Sequence, residues 1–205
     1  MILNRFRTFP LAVGIVAALY NPQAFAQSSV VRAGSLEVGP FVGGTYGING
    51  ANVMGGGNVT YALLNRIVLP YFEFSYFPGL PNSYTDATGT KYAYSVGLAD
   101  INGGVHIRVP IKESPIVPYF VVGVGALHYF QGNGTQTPPN LPSTPATFPP
   151  GTSFAVNGGA GLRYYIGGSG RFGFRLEAKF YKPSSGPFSG DTIGKIEAGI
   201  FVQVH

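Results

Sequence analysis

Two consecutive segments near the end of the chain alternate between apolar and polar positions with a period of two. In residues 171–182 the apolar positions are Phe172, Phe174, Leu176, Ala178 and Phe180, and they alternate with Arg171, Gly173, Arg175, Glu177 and Lys179. In residues 192–204 the apolar positions are Ile196, Ala198, Ile200, Val202 and Val204, and they alternate with Lys195, Glu197, Gly199 and Gln203. Successive side chains of a β-strand point to opposite faces, so the pattern predicts two strands, each with an apolar and a charged face.

Six further segments show strand character, which brings the predicted total to eight. The eight segments are residues 34–46, 51–64, 67–77, 91–109, 116–130, 153–166, 171–182 and 192–204. The connections alternate in length: 65–66, 110–115 and 167–170 are short, whereas 78–90, 131–152 and 183–191 are long, and only 47–50 departs from the rule. Short turns at one end and long loops at the other are typical of transmembrane β-barrels.

Helical membrane spans are not predicted after the N-terminal region. The most apolar stretch, residues 116–130, contains Pro118, Gly123 and Gly125, and both residue types disfavour a helix interior. Its valines and aromatic residues favour a strand instead. Only helices and closed barrels satisfy their backbone hydrogen bonds inside lipid. The predicted fold is therefore all-β: a closed, eight-stranded, antiparallel up-and-down transmembrane β-barrel.

The N-terminus has the layout of a secretory signal peptide. Arg5 and Arg7 precede an apolar run over residues 9–20, and residues 24–26 read Ala-Phe-Ala, a small-residue cleavage motif. The apolar run is too short to span a bilayer. We predict a signal peptide over residues 1–26, export through the Sec pathway, and a barrel domain over residues 27–205.

Composition excludes several classes of function. The chain of 205 residues contains no Cys, so it has neither disulfides nor a cysteine for a lipid anchor. The formal net charge is +5, but no basic run or nucleic-acid motif accompanies it, and we expect no nucleic-acid partner. His106 and His205 have no second histidine or cysteine nearby, so neither a metal site nor a cofactor is expected.

Aromatic residues cluster near both ends of the predicted strands. The loop-end set is Tyr46, Tyr76, Phe77, Tyr92, Tyr94, Tyr129, Phe130, Phe154, Phe180 and Tyr181, and the turn-end set is Tyr71, Phe72, Tyr119, Phe120, Tyr164, Tyr165, Phe172 and Phe174. Two such bands are what the interfacial girdles of a membrane barrel require. The pattern predicts two girdles and favours a membrane environment.

Charged side chains are predicted to point into the barrel. The expected lumen network consists of Glu37, Glu73, Asp100, His106, Arg108, Arg163, Arg175, Glu177, Lys179, Lys195 and Glu197. Like charges directly opposed on neighbouring strands are destabilising, so we expect a register between the last two strands that pairs Lys with Glu. In the fourth strand the apolar positions change parity, which predicts a β-bulge between Leu98 and Ile101. The fifth strand is apolar on both faces and cannot be oriented from its pattern.

Three segments carry a resemblance to a known family. They are residues 118–125 (PYFVVGVG), 159–165 (GAGLRYY) and the alternating strand 172–181 after a tight turn. The mature chain resembles the small outer-membrane β-barrels, the eight-stranded relatives of the OmpA transmembrane domain and of OmpX. The resemblance implies a monomer in the outer membrane of Gram-negative bacteria, with outer-membrane lipids, including lipopolysaccharide, and the barrel-insertion machinery as partners. Members often end on an aromatic residue, whereas this chain ends on His205.

Several functions remain open from the sequence. A structural, membrane-integrity role with a lumen filled by ion pairs is the main hypothesis, because eight strands enclose a space that side chains can fill. The alternatives are a small pore for ions or solutes, surface adhesion through the Pro-rich loop 131–152, which we expect to be mobile, and a soluble secreted ligand-binding barrel. Some eight-stranded barrels modify lipid A with a Ser, a His and an acid, but Phe130 stands where a Ser would follow His128. We therefore expect no enzymatic activity.

Overall fold

A computed structural model describes residues 32–46, 52–63, 66–109, 111, 114–186, 189–190 and 192–204. The predicted signal peptide and His205 lie outside the described residues. The described part of the chain contains no helix that is long and apolar enough to cross a bilayer. Its strands are β1 (Leu36–Tyr46), β2 (Asn52–Tyr61), β3 (Val68–Thr85), β4 (Lys91–Arg108), β5 (Ile116–Tyr129), β6 (Gly132–Thr137), β7 (Thr144–Phe148), β8 (Gly151–Ile166), β9 (Phe172–Pro183) and β10 (Ile193–Val204).

Eight of these strands form a closed antiparallel barrel. Around the barrel the order is β3, β2, β1, β10, β9, β8, β5 and β4, and the pairing of β4 with β3 closes the ring. The predicted all-β, eight-stranded up-and-down barrel is confirmed. Strands β6 and β7 are additional and form a hairpin outside the ring.

The side chains of each barrel strand alternate between a buried interior and an exposed exterior. In β9, for example, Phe172, Phe174 and Leu176 are exposed, whereas Arg175 and Glu177 are buried. Strand β5, which the sequence left unoriented, follows the same rule. It buries Val117, Tyr119 and Val121 inside and exposes Phe120, Val122 and Val124. The barrel therefore has an apolar outer surface and a charged interior.

The predicted bulge in the fourth strand is wrong. The register of β4 against β3 and β5 runs without interruption from Leu98 to Ile101, and the irregularity lies instead in β3, between Phe77 and Leu80. Apart from the small Ala99, the buried positions of β4 keep one parity along its length: Tyr94, Val96, Leu98, Asp100, Asn102, His106 and Arg108. The prediction failed because it placed Tyr94, Val96 and Leu98 outside, whereas they line the interior beyond the charged residues.

The Pro-rich loop 131–152 contains two strands that the sequence analysis did not predict. Its β6 and β7 pair with each other, and β6 pairs with the first residues of β4, so that Lys91 lies opposite Thr137 and Ser95 opposite Asn133. Strand β3 continues to Thr85 on the other side of β4. Residues 80–85, 91–96, 132–137 and 144–148 thus form a four-stranded extension at the long-loop end, here named the projecting sheet.

Candidate functional site

The interior of the barrel contains all the charged side chains that the sequence assigned to it. Each of the eleven residues is at most 6% exposed: Glu37, Glu73, Asp100, His106, Arg108, Arg163, Arg175, Glu177, Lys179, Lys195 and Glu197. Apart from His106 they comprise five carboxylates and five Lys or Arg side chains. Since a buried charge is costly unless it is paired, this balance allows the lumen to be filled without a net charge.

Glu73 on β3 is the centre of the part of this network that lies nearer the long-loop end. One of its carboxylate oxygens lies 2.7 Å from Nζ of Lys179 and 2.6 Å from Nζ of Lys195. Its other oxygen lies 3.4 Å from Arg175, and Lys195 also contacts Asp100 at 3.2 Å. Glu73 is separated from β10 and β9 by β2 and β1 in the ring, so its side chain connects opposite walls of the barrel.

The predicted Lys-to-Glu register between β9 and β10 is wrong. Lys195 lies directly opposite Lys179, and Glu197 lies directly opposite Glu177. The opposite charges meet in other directions instead. Lys179 contacts Glu177 along β9 at 2.7 Å, Lys195 contacts Glu197 along β10 at 3.2 Å, and Arg175 reaches Glu197 diagonally at 2.7 Å. The cross-strand rule fails here because the lumen is narrow enough for Glu73 to bridge both lysines from the far wall.

A second group of polar side chains surrounds Glu37 near the short-turn end. Glu37 forms ion pairs with Arg108 and, at 3.0 Å, with Arg163. It also accepts hydrogen bonds from the Tyr165 hydroxyl at 2.8 Å and from the Thr60 hydroxyl at 3.1 Å.

His106 connects this group to the network around Glu73. Its Nδ1 lies 2.8 Å from an Arg163 nitrogen, and its Nε2 lies 3.5 Å from Glu177. Its ring stacks on Tyr71 with the centroids 4.4 Å apart. The two groups of charges therefore form one continuous network along the barrel axis.

Apolar side chains fill the lumen on both sides of the charge network, at the long-loop end and at the short-turn end. The cluster at the long-loop end comprises Phe41, Met54, Phe77, Leu80, Tyr94, Val96, Leu98, Leu127, Tyr129, Ala155, Tyr181 and Ile193, with Phe148 packed against it. At the short-turn end, Val117, Tyr165 and Phe201 form a smaller cluster. The sequence analysis missed both layers, although the change in parity of the apolar positions along β4, from Leu98 to Ile101, was a usable signal for the first.

The aromatic girdles are only partly as predicted. Of the eighteen residues assigned to them, seven are buried: Tyr71, Phe77, Tyr94, Tyr119, Tyr129, Tyr165 and Tyr181. Others are exposed on the outer surface, among them Tyr76, Phe130, Phe154 and Phe180 at the loop end and Phe72, Phe120, Tyr164 and Phe174 at the turn end. Four of the buried tyrosines, Tyr71, Tyr119, Tyr165 and Tyr181, instead supply hydroxyl groups or ring faces to the charge network.

Space for a solute is scarce between the charged side chains. A cavity lined by Glu37, Asn58, Arg163 and Arg175 has a volume of about 10 Å³. Such a volume holds about one water molecule.

Three carboxylates in the lumen, Glu73, Glu177 and Glu197, have oxygens within 4.8 Å of one another. Each of them already contacts a Lys or Arg side chain. Their charge is neutralised by these cations, and the group does not suit a metal ion.

His128 lies at the outer end of β5. Its Nδ1 is 2.9 Å from the Thr152 hydroxyl, and its ring packs edge-on against Phe130 with the centroids 5.0 Å apart. Neither neighbour is an acid, so this arrangement lacks the partner that would activate a histidine as a general base.

Two stacked aromatic pairs cover one face of the projecting sheet. Tyr84 stacks on Tyr92 with the ring centroids 4.7 Å apart and 15° between the planes, and Tyr94 stacks on Phe148 at 4.0 Å. The two pairs meet edge to face, because Tyr84 lies 6.4 Å from Tyr94 and Tyr92 lies 6.4 Å from Phe148. Offset and edge-on arrangements are the favoured geometries for aromatic rings.

Asp86 organises the tip between β3 and β4. Its Oδ1 accepts hydrogen bonds from the Thr88 hydroxyl at 2.6 Å, the Thr88 amide at 2.8 Å and the Thr90 amide at 3.0 Å. Its Oδ2 accepts a hydrogen bond from the Tyr92 hydroxyl at 3.4 Å. These bonds, that from the Thr88 hydroxyl foremost, lower the pKa of Asp86 below its ordinary value of 3.8.

Acid should therefore loosen this tip. Hydrogen bonds to the ionised carboxylate stabilise the turn above the ordinary pKa of Asp86, and this contribution is lost as the pH falls through the lowered value. We expect the amide resonances of Thr88 and Thr90 to shift in an NMR titration with a midpoint below 3.8. In Asp86→Asn the same resonances should not titrate, and a midpoint above 3.8 in the parent protein would contradict the assignment.

The sequence matches no protein-family model, and a search of curated proteins also found no match. Three solved structures are similar in fold at low sequence identity. Ail, the attachment invasion locus protein of Yersinia pestis, is 14% identical, with a TM-score of 0.44 over 84% of this chain and 100% of that one. The N-terminal β-barrel domain of Pseudomonas aeruginosa OprF is 16% identical, with a TM-score of 0.44 over 84% and 98% of the two chains. Neisserial surface protein A is 12% identical, with a TM-score of 0.44 over 83% and 96%.

Proposed function

We propose that this protein is an integral outer-membrane barrel with a closed lumen, which holds the projecting sheet above the bilayer as an interaction surface. The signal peptide proposed for residues 1–26 would direct export. Lipopolysaccharide and other outer-membrane lipids would cover the barrel wall. The observation that carries the proposal is the orientation of the barrel, with apolar side chains outside and charges inside.

The outer wall of the barrel is suited to lipid. Its exposed large apolar residues include Val42, Val59, Phe72, Phe74, Ile101, Phe120, Val122, Val124, Phe154, Val156, Leu162, Phe172, Phe174, Leu176, Ile196, Ile200 and Val202. Soluble monomers rarely expose a continuous apolar patch of more than a few hundred Å². A soluble ligand-binding barrel would need the opposite orientation, with apolar residues around a central cavity, so the secreted-barrel alternative has no support in the arrangement of these side chains.

The interior favours a closed barrel over a pore. Ion pairs occupy the middle of the lumen, and apolar clusters occupy both ends. A conducting path would require the ion pairs around Glu73 to separate and the apolar cluster beyond them to open. Separated charges would then be left unpaired in a poorly hydrated space, which is costly.

Conductance measurements test this closed state. We expect the folded barrel, reconstituted in planar bilayers, to produce no stable channel steps, because ion pairs and apolar clusters of the described residues occupy the lumen. Folding is verified beforehand by a mobility shift between unboiled and boiled samples on an SDS gel. A defined single-channel conductance from shifted, folded protein would overturn the closed-lumen proposal and support the small-pore alternative, whereas an unshifted band in the soluble fraction would overturn membrane insertion itself.

A further inference from the structure

The aromatic side of the projecting sheet is continuous with the lumen and not with the lipid-facing wall. Strand β4 passes from the barrel into the sheet with unbroken parity, so Tyr92 and Tyr94 follow the inward positions Val96, Leu98 and Asp100. The opposite side carries small polar residues, such as Ser83, Ser95, Asn133, Thr135 and Thr147. The aromatic rings therefore stand above the mouth of the barrel, where they cannot serve as interfacial anchors in the surrounding lipid.

One cross-strand row combines the exposed ring with polar groups. Tyr84 pairs with Tyr92, Tyr92 pairs with Gln136, and Gln136 pairs with Thr144. Neighbouring strands are about 4.8 Å apart, so the four positions extend over about 14 Å. The row offers the open face of the Tyr84 ring at one end, and an amide and a hydroxyl group at the other, to one elongated ligand.

The row is held in place before any ligand arrives. Tyr84 is 49% exposed, yet its ring is fixed by the stacking contact with Tyr92, whose hydroxyl is bound by Asp86. Beneath it, Tyr94 is buried and stacks on Phe148. Preorganised side chains lose less conformational entropy on binding, which raises affinity.

The row also contains no Asp, Glu, Lys, Arg or His side chain that would select a charged ligand. It consists of Tyr84, Tyr92, Gln136 and Thr144, with the Asp86 carboxylate beside the Tyr92 hydroxyl, and the neighbouring row is formed by Asn82, Tyr94, Gly134 and Ala146. Lys91 belongs to the opposite side of the sheet because it is adjacent to Tyr92. A ligand that matches this surface has apolar C–H faces to stack on a tyrosine ring, many hydroxyl groups and no charge.

Sugars have this combination of properties. We propose that the aromatic side of the projecting sheet binds a neutral oligosaccharide, with one sugar ring stacked on the face of Tyr84 that Tyr92 leaves open and hydroxyl groups of further sugar units bound by Gln136 and Thr144. The electron-rich ring face of Tyr84 attracts the weakly positive C–H groups of the sugar. The proposal deepens the proposed function, since it names the ligand class of the interaction surface.

Binding can be measured by calorimetry with the folded barrel in lauryldimethylamine oxide, a detergent without a sugar headgroup. The ligands are maltohexaose, cellohexaose and chitohexaose, and a heparin hexasaccharide serves as the anionic comparison. We expect saturable binding of at least one neutral hexasaccharide, tighter than that of the heparin fragment. Tyr84→Ala should weaken it about tenfold or more, because the stacking contact is lost. Tyr84→Phe, which retains the ring, should lose much less.

Thr135→Ala is the matched control, because Thr135 neighbours Gln136 on β6 but lies on the opposite side of the sheet. It should leave the affinity unchanged. Absence of saturable binding to all three neutral sugars would overturn the inference, as would preferential heparin binding or equal affinities in Tyr84→Ala and the parent. The gel shift of each variant is measured in parallel. A protein that folds and inserts but does not bind sugar overturns only this inference, whereas loss of the shifted band in the parent overturns the proposed function.

Discussion

Replacement of Glu73 by alanine is expected to destabilise the barrel by about 3–5 kcal/mol, the cost of breaking a buried ion pair by removing one partner. Glu73 is completely buried and contacts Lys179, Lys195 and Arg175. Without it, the two lysines lie directly opposite each other with no carboxylate between them. Of their remaining partners, Glu177 and Glu197 are shared with Arg175, and Asp100 lies 3.2 Å from Lys195.

The measurement is the urea dependence of folding in lipid vesicles, followed by the fraction of protein in the shifted gel band. Phe74→Leu is the matched control, because Phe74 is the next residue of β3 and faces outward. It should change the free energy of unfolding only slightly. Glu73→Gln should fall between the two, since it retains hydrogen-bonding groups but loses the charge. If Glu73→Ala unfolded at the same urea concentration as the parent, the lumen network would not be a determinant of stability.

The second large effect is expected on the outer wall. Leu176 is 51% exposed in the middle of β9, between the inward-facing Arg175 and Glu177. If this surface lies in lipid, Leu176→Arg should destabilise the folded state by about 2–4 kcal/mol, the cost of an arginine near the bilayer midplane of a β-barrel. In a soluble barrel the same substitution would place a charge in water at little cost.

Leu141→Arg is the control for this experiment. Leu141 is 62% exposed and lies in the turn between β6 and β7, beyond the barrel. Its replacement should leave the urea midpoint in vesicles within error of the parent value. Equal midpoints for Leu176→Arg and Leu141→Arg would contradict the placement of the outer wall in the bilayer.

The wrong prediction of the register between β9 and β10 has its physical origin in the narrow lumen. The rule for cross-strand pairs takes into account only neighbouring strands of one sheet, where like charges directly opposite each other, such as Lys179 and Lys195, are destabilising. Inside an eight-stranded barrel the opposite wall is within reach of a side chain, and Glu73 changes the balance of charge at both lysines. No local pattern in β9 or β10 contains this information.

The misplaced bulge shows a second limit of prediction from the pattern of apolar positions. The sequence rule treats apolar positions as one face, so Tyr94, Val96 and Leu98 were assigned to the same side as lipid-facing residues. In the folded chain the interior changes from charged to apolar along the axis, while the parity of β4 stays constant. Hydrophobicity alone cannot distinguish an apolar plug from an apolar exterior, because both exclude water.

The projecting sheet likewise depends on tertiary contacts. Residues 131–152 are rich in Pro, Thr and Gly, a composition typical of a solvated loop. Strand β6 is formed because the β3–β4 hairpin rises beyond the barrel and presents an unoccupied edge to which it can pair. The aromatic row above the mouth of the barrel, with Tyr84, Tyr92 and Gln136 side by side, exists only as a result of that pairing.

By itself, the sequence determined the number of barrel strands, the closed antiparallel fold and the inward orientation of the charged side chains, because a period of two assigns every residue of a strand to one of two faces. The tertiary structure decided which charges are partners, where the bulge lies, how the ends of the lumen are closed and that the longest loop forms a sheet. These features depend on distances between residues far apart in the chain, such as the 122 positions between Glu73 and Lys195. Alternation along a strand carries no information about such distances, since they are set by ring closure and by the diameter of the barrel.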